Sequence, residues 1–429
     1  MNLRFLNLVN VKSAVDTISF RNTSSYKQSV SFIIINILVA FLGFVRSFAF
    51  MKFLDFKELG VITLIQTGAM LIGFFQIGLI NGGYRILALQ KTELSEETNN
   101  VIFSYFLLIS IFLTILFIIG SIAGLFSDKL IISLSIITGL FLLINNWLSN
   151  TLIAERAYSR INKANSVSAL SSLACLPLAF YWGIYGGALC ILAQPLVFSL
   201  IVLLSGESKM PTKFVFKISK IRSILHYGFI PFLSGLFFLL YVQIERWSIA
   251  SFLGTTALGN LYLVFLISTL WILIPTSILN LLFPRAVVFY ESKDLHGFKN
   301  IIVIHTFFVI GYCVLVALLI FVLLKPLVAV IFPQHSPFVK FAIYALPGLI
   351  LRSMADPISV VLNSIVKLKP LFWSDIYGLI LYSTLIVLLG TFNLFSLTTV
   401  LICFNLYFAF KFIFLSVSFL KLRKQFLPS

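Results

Sequence analysis

Six charged residues lie inside long apolar stretches of this chain: Arg46, the neighbours Glu245 and Arg246, the pair Arg352 and Asp356, and Lys411. Each type has a distinct use in such surroundings. A guanidinium presents a planar fork of donors that matches phosphate or carboxylate oxygens, and an ammonium adds a point charge. Arg46, Arg246, Arg352 and Lys411 are therefore candidates for binding an anion. A carboxylate beside an arginine can take up and release H+ or Na+, because its change of charge alters the local balance. Glu245 and Asp356 are the candidates for that exchange. A charged group at the centre of a membrane helix costs about 2.5–3.5 kcal/mol, so these residues must face a hydrated interior or one another.

For each residue a plainer reading stands beside the functional one. Arg352 and Asp356 are one helical turn apart, so they either form an intrahelical ion pair that makes the helix insertable or serve substrate and coupling. Glu245 and Arg246 point about 100° apart, so one faces a cavity while the other meets a neighbouring helix. Arg46, Arg246 and Lys411 are close enough to helix ends either to snorkel to the membrane surface or to line a cavity. Arg85 and Arg285 fall at helix ends, where they either fix topology or collect an anionic substrate at the inner mouth.

The elements that hold these residues are membrane spans. Of 429 residues 60% are hydrophobic and only 10% charged, and the mean hydropathy is +1.07. A water-soluble surface could not accommodate that composition. About 20 residues of helix cross a bilayer core, and runs of this kind occur at 29–50, 60–80, 101–124, 131–153, 165–183, 185–205, 228–251, 258–282, 301–324, 341–363, 372–392 and 396–419. The fold class is all-α, polytopic, with twelve helices in two six-helix lobes around a central cavity. Of the 31 Lys and Arg, 22 fall in alternate gaps and the two tails, and only Lys52, Lys57, Lys129, Lys325 and Lys340 in the opposite gaps. Lys and Arg favour the cytoplasmic side, so both termini are expected in the cytoplasm. The net charge of +17 is scattered through short loops, which excludes a nucleic-acid surface.

The chain divides into a cytoplasmic segment 1–28, an N-lobe 29–205, a basic linker 206–227, a C-lobe 228–419 and a tail 420–429. The first segment lacks a cleavage-site signature; Leu3, Phe5, Leu6, Leu8 and Val9 form either a short helix on the inner leaflet or a disordered tail. Cys175, Cys190, Cys313 and Cys403 are isolated in apolar segments and read as small core residues. Pro177, Pro195, Pro231, Pro275, Pro347 and Pro357 permit kinks in or beside spans. Trp147, Trp182, Trp247, Trp271 and Trp373 are the first candidates to stack on the ring faces of a ligand, with interfacial anchoring as the stronger expectation. His335 reads as an ordinary loop residue.

Between the halves a repeat is visible. Phe53-Leu54, four residues, Leu59-Gly60 matches Phe252-Leu253, four residues, Leu258-Gly259, while Arg46 and Arg246, like Arg85 and Arg285, stand 200 residues apart. Duplicated units are a common plan in secondary transporters, which bind substrate between them. The run from Arg46 through Leu59-Gly60, Ile77-Gly78-Leu79 and Tyr84-Arg85 resembles the first two helices of the polysaccharide exporter family that includes the Wzx-type O-antigen flippases. In the second half Tyr227-Gly228-Phe229-Ile230-Pro231, Gln243-Ile244-Glu245-Arg246, Leu258-Gly259-Asn260-Leu261-Tyr262 and Pro284-Arg285 repeat the resemblance. The family often has Asp before the seventh-helix arginine, where this chain has Glu245.

This resemblance implies membership of the superfamily that also holds multidrug and toxin extrusion antiporters and lipid II flippases. It further implies movement of an undecaprenyl-diphosphate-linked glycan from inner to outer leaflet, for O-antigen, lipopolysaccharide or other exopolysaccharide, with membrane lipids and polysaccharide polymerase or chain-length proteins as partners. Coupling to H+ or Na+, no cofactor, no metal and no enzymatic activity are expected. The long external gap at 325–340 offers only Gln334, His335 and Ser336 as polar groups, which cannot assemble a glycan-joining catalyst. A cation-coupled multidrug antiporter is the rival reading, but four intramembrane bases opposing two acids suit anionic cargo better.

Overall fold

The computed structural model describes residues 23–89, 92–126, 128–155, 157–205 and 213–426, and among these every regular element is helical. In chain order the helices are α1 (Thr23–Phe53), α2 (Phe56–Ile72), α3 (Leu79–Leu89), α4 (Thr92–Ile122), α5 (Lys129–Ala154), α6 (Tyr158–Ala174) and α7 (Leu176–Leu204) in the first half. The second half holds α8 (Ile218–Leu253), α9 (Thr255–Asn260), α10 (Tyr262–Glu291), α11 (Leu295–Ile331), α12 (Val339–Ser364), α13 (Lys369–Thr391) and α14 (Leu397–Phe426). Short 3-10 turns at Gly73–Gln76 and Pro333–Phe338 complete the path. The residues Leu3 to Val9 read as an inner-leaflet helix or a tail, and positions 206–212 of the linker, lie outside the described residues.

Ten described stretches are long and apolar enough to cross a membrane, and Tyr262–Pro275 of α10 adds a shorter apolar one. The remaining passage is α6 followed by the first turns of α7. Its row of Asn162, Asn165, Ser168, Ser171 and Ser172 makes it too polar to qualify by composition. At Gly183 the chain adopts φ 53°, a left-handed conformation that a Cβ disfavours, and α7 doubles back there. The hairpin falls between the expected spans 165–183 and 185–205. Helices α4, α8 and α11 extend well beyond their expected spans toward the end of the bundle where the chain enters and leaves, called the near end below.

Local sequence sets several helix starts. Asp55 caps α2 by accepting from the Glu58 N–H at 2.7 Å, and Glu58 accepts in return from the Asp55 N–H at 3.1 Å. This reciprocal box satisfies amide donors that have no partner within the helix. Asp128 caps α5 by accepting from the Ile131 N–H, and Asp294 caps α11 by accepting from the Gly297 N–H, each without the return bond. Much of the chain's small stock of acids is therefore used to start helices.

The halves meet along α2 and α3 against α8 and α9. At the far end, a Cβ on Gly60 would run into the Thr255 carbonyl, and one on Gly259 into the Phe56 carbonyl. The repeated Leu-Gly pairs thus form one crossing, each glycine admitting the backbone of the other half. A turn of the far-end connection reinforces it: Gln334 Nε2 donates to the Met51 carbonyl at 2.8 Å and His335 Nε2 lies 3.2 Å from the same oxygen. His335 is fully buried, edge-on to Phe56 at 4.8 Å. It is therefore not the ordinary loop residue that its surroundings in the sequence suggest. At the near end, Gly78 and Gly228 touch backbone to backbone, and Lys217 and Lys220 of α8 pair with Glu97 of α4.

Lipid-facing surfaces carry exposed apolar residues such as Phe41, Ile111, Ile119, Leu318 and Phe321. An aqueous protein does not present such continuous faces. Two tryptophans depart from the interfacial expectation. Trp147 and Trp271 are 2% and 1% exposed, held inside by hydrogen bonds to Asn99 and Ser353. A buried indole needs an acceptor for its N–H, and a neighbouring helix supplies one in each case. Trp182, Trp247 and Trp373 remain exposed.

Candidate functional site

Two adjoining cavities lie between the halves, bounded by α1 and α2 on one side and α8 and α10 on the other. One, of about 540 Å³, is lined by Glu245, Arg246 and Arg352 together with Phe238, Tyr241, Phe265 and Phe404. The second, of about 420 Å³, is lined by Arg46 and Arg246 with a mainly apolar wall that carries several uncharged polar side chains. Asn36, Met70, Arg246, Phe265, Thr269 and Leu273 belong to both linings. Together they form a chamber of three guanidiniums and one carboxylate.

Each arginine is oriented differently. Arg46 on α1 donates to Ser172 Oγ of α6 at 2.8 Å and to Gln194 Oε1 of α7 at 3.1 Å, while Ser172 itself donates to the Cys190 carbonyl. It is anchored within its own half and does not snorkel outward. Arg246 reaches across the seam and donates to Thr67 Oγ1 of α2 at 2.9 Å, with its guanidinium carbon 4.9 Å from the centre of the Phe265 ring. Gln243, two residues before Glu245, donates to the Thr67 carbonyl at 3.1 Å and accepts from Trp247. The positions 200 apart in sequence are thus equivalent in place but not in bonding: one ties its half together and the other ties the halves to each other.

Arg352 sits between two rings, its guanidinium carbon 4.7 Å from the centre of Phe238 and 5.5 Å from that of Phe408. Cation–π contacts of this kind are worth about 0.5–2 kcal/mol each as water is excluded. They hold the plane of the fork without using its N–H donors. Arg352 and Asp356 form no ion pair among the described residues, so the intrahelical reading is not realised. The five donors of Arg352 remain available to water or an anion.

Glu245 is 6% exposed and accepts from Tyr241 O–H at 3.4 Å. Glu245 and Arg246 both line the larger cavity, because that cavity wraps around more of α8 than a single direction. Tyr241 is stacked on Tyr407 at 4.2 Å and meets Tyr382 edge-on at 4.7 Å. This aromatic block closes the chamber floor in the second half.

Behind Arg352 is a third cavity of about 410 Å³, lined by Arg352, Asp356, Asp375, Ser359, Asn363 and Lys411 among others. Lys411 neither snorkels nor enters the chamber; it pairs with Asp375 of α13. Asp375 is a third intramembrane acid that the sequence reading leaves out, so the balance is four bases to three acids. The available signal was an aspartate inside the expected span 372–392, near enough to its start to pass for a helix-end residue. Asp356 faces this cavity and not the chamber proper; Arg352 and Phe238 form the partition common to both. Of the two mouth arginines, Arg285 is half-buried near the end of α10, and the Arg85 side chain lies outside the described side chains. Among the described residues no group of His, Cys, Asp and Glu could hold a metal ion.

Residues 49–296 match the family of polysaccharide biosynthesis proteins, which is more than half of the chain. The chain belongs to this family. No curated protein matches it in sequence. Among solved structures, this polysaccharide biosynthesis protein is similar to a multidrug resistance MATE family transporter of the MOP superfamily in its inward-facing conformation. The TM-score is 0.69 at 13% identity, over 94% of this chain and 100% of that one. The lipid II flippase MurJ, in an inward closed conformation, matches with TM-score 0.70 at 15% identity, over 91% and 87%. A MOP superfamily transporter from Pyrococcus furiosus, described as having a binding pocket of reverse polarity, matches with TM-score 0.63 at 17% identity, over 94% and 95%. These likenesses show the fold, a multi-pass helical membrane architecture like that of these transporters.

Proposed function

We propose that the protein is a flippase that carries undecaprenyl-diphosphate-linked oligosaccharide repeat units of O-antigen or a related surface polysaccharide from the inner to the outer leaflet by alternating access. The observation that carries this reading is the excess of guanidinium in the chamber: Arg46, Arg246 and Arg352 against Glu245. A diphosphate entering hydrocarbon must exchange its hydration shell for charge-assisted hydrogen bonds, and arginine forks supply them. The polysaccharide biosynthesis family and the fold of lipid and drug transporters support the same reading. The two halves act as lobes, 29–205 and 228–419, joined by the linker 206–227, with 1–28 and 420–429 in the cytoplasm of the inner membrane.

Glu245 couples the cycle to H+ or Na+ by exchanging its charge beside Arg246, and Asp356 does so behind Arg352. Arg85 and Arg285 gather the headgroup at the cytoplasmic mouth. Lys411, drawn onto Asp375, tunes the electrostatics around Arg352 and does not touch the cargo. The reading requires neither a prosthetic group nor a bond-making step. Cationic cargo, which a multidrug antiporter would carry, would meet net positive charge in the chamber.

Deletion of the gene tests this. The flippase reading predicts that undecaprenyl-linked repeat units accumulate with their glycans facing the cytoplasm. Normal surface polysaccharide, with altered sensitivity to cationic toxins, would instead point to the drug antiporter.

A further inference from the structure

The two parts of the chamber differ in chemistry. The larger holds charge set among aromatic rings. The smaller has Arg46 and Arg246 at its edges and no Asp or Glu, and its uncharged polar groups include the carboxamides of Asn36, Gln66 and Gln194 and the hydroxyls of Thr63, Thr138 and Ser47. Several have bonding capacity to spare. Among the described residues Thr138 Oγ1 is buried without a hydrogen-bond partner, and Gln66 is half-buried on the same wall. Asn36 uses its carbonyl oxygen to accept from Asn165, and Gln194 uses its own to accept from Arg46, leaving both NH2 groups directed to no protein acceptor.

Buried polar groups are normally paired, and those lining a cavity without a partner mark where a ligand or water completes them. A carboxamide both donates and accepts, as a sugar hydroxyl does. A phosphate, which at neutral pH chiefly accepts, could use the free NH2 groups but would leave an acceptor such as Thr63 Oγ1, whose own proton goes to the Leu59 carbonyl, without a donor; a sugar hydroxyl serves both.

Resting on the function proposed above, we infer that this compartment is the glycan subsite: it takes uncharged, hydroxyl-rich sugar residues, while the diphosphate lies between Arg246 and Arg352 in the larger one. Arg246 belongs to both linings and marks the junction of headgroup and sugar. Gln66 and Asn36 are then specificity-determining residues. A site built to pair hydroxyls rejects ligands that lack them, because its amides would be left desolvated and unpaired. At about 420 Å³ the compartment falls in the range of roughly 300–1,000 Å³ typical of small-molecule sites, so it reads part of a glycan and not a whole chain.

The test measures Kd of the purified full-length protein, in lipid nanodiscs, for two probes: undecaprenyl-diphosphate-linked repeat units extracted from the source strain, and bare undecaprenyl diphosphate. The wild type is expected to prefer the glycosylated lipid. Gln66→Leu and Asn36→Leu should each lower that preference by about two- to tenfold, as expected for one or two hydrogen bonds. Gln66→Glu, which retains size and acceptors but loses the donor, should lower it as well, so the result does not hang on one variant's folding. A ratio unchanged in all three variants, or a wild type that binds both probes equally, would overturn the glycan subsite and leave the diphosphate reading standing. A wild type that binds neither probe would remove both.

Discussion

Arg352 has its guanidinium plane fixed by Phe238 and Phe408 while its donors stay free, an arrangement that lysine cannot reproduce. An ammonium is compact, strongly hydrated and unable to stack as a plane. Arg352→Lys is therefore expected to slow translocation in reconstituted vesicles about tenfold despite keeping the charge. If the lysine variant works as well as the wild type while Arg352→Gln does not, charge alone is what counts at this position. The Lys411 and Asp375 pair makes a separate prediction on stability. Removing one partner of a part-buried pair costs the other its charge-assisted hydrogen bond, so Lys411→Met should cost about 2 kcal/mol. The double change Lys411→Met with Asp375→Leu should regain most of that, as read from thermal unfolding in detergent. Equal losses in the single and double variants would show that the pair is not coupled. The charged residues of the chamber are readable from the sequence because charge in an apolar run is conspicuous. Their partners are not, since Ser172, Gln194 and Thr67 are 126, 148 and 179 residues from the arginines they meet. Asp375 is missed because its significance depends on Lys411 on another helix.

At the scale of elements, the α2–α9 crossing is a close-packed seam between the halves. Gly60 and Gly259 let two backbones touch, and the Pro333–Phe338 turn latches the same end onto Met51. Met51 is wholly buried there, so Met51→Cys should resist a membrane-impermeant maleimide applied from outside the cell. Adding Gly259→Val, which places a branched side chain against the Phe56 carbonyl, should open the crossing, raise labelling severalfold and abolish transport. Adding His335→Ala should raise labelling more modestly, because Gln334 still donates to the Met51 carbonyl. Labelling that ignores both changes would mean that this end is not the gate. The spans themselves follow directly from twenty-residue apolar runs. The doubled-back α7 at Gly183 and the burial of Trp147, Trp271 and His335 do not, because each is decided by packing between helices distant in sequence.

For the whole molecule, charge has two separate roles. Basic loops at the near end set orientation, and predict that a reporter fused at either terminus is active only in the cytoplasm. Inside, a smaller set of guanidiniums makes a positive chamber within an apolar shell, where attraction to an anion is strong because water is largely excluded. The overall architecture was legible from the repeat of Leu-Gly pairs and arginines at a spacing of 200; the carboxamide-bearing compartment of the chamber was not, since Asn36, Gln66 and Gln194 are unremarkable until three helices bring them together. The most direct test of the account is a headgroup series: Kd of the full-length protein for undecaprenol, undecaprenyl phosphate and undecaprenyl diphosphate at fixed salt. The chamber predicts affinity rising with each negative charge, and an Arg246→Gln, Arg352→Gln double variant in which the rise is flattened. Equal affinity for all three lipids, or a rise that survives loss of both arginines, would contradict it.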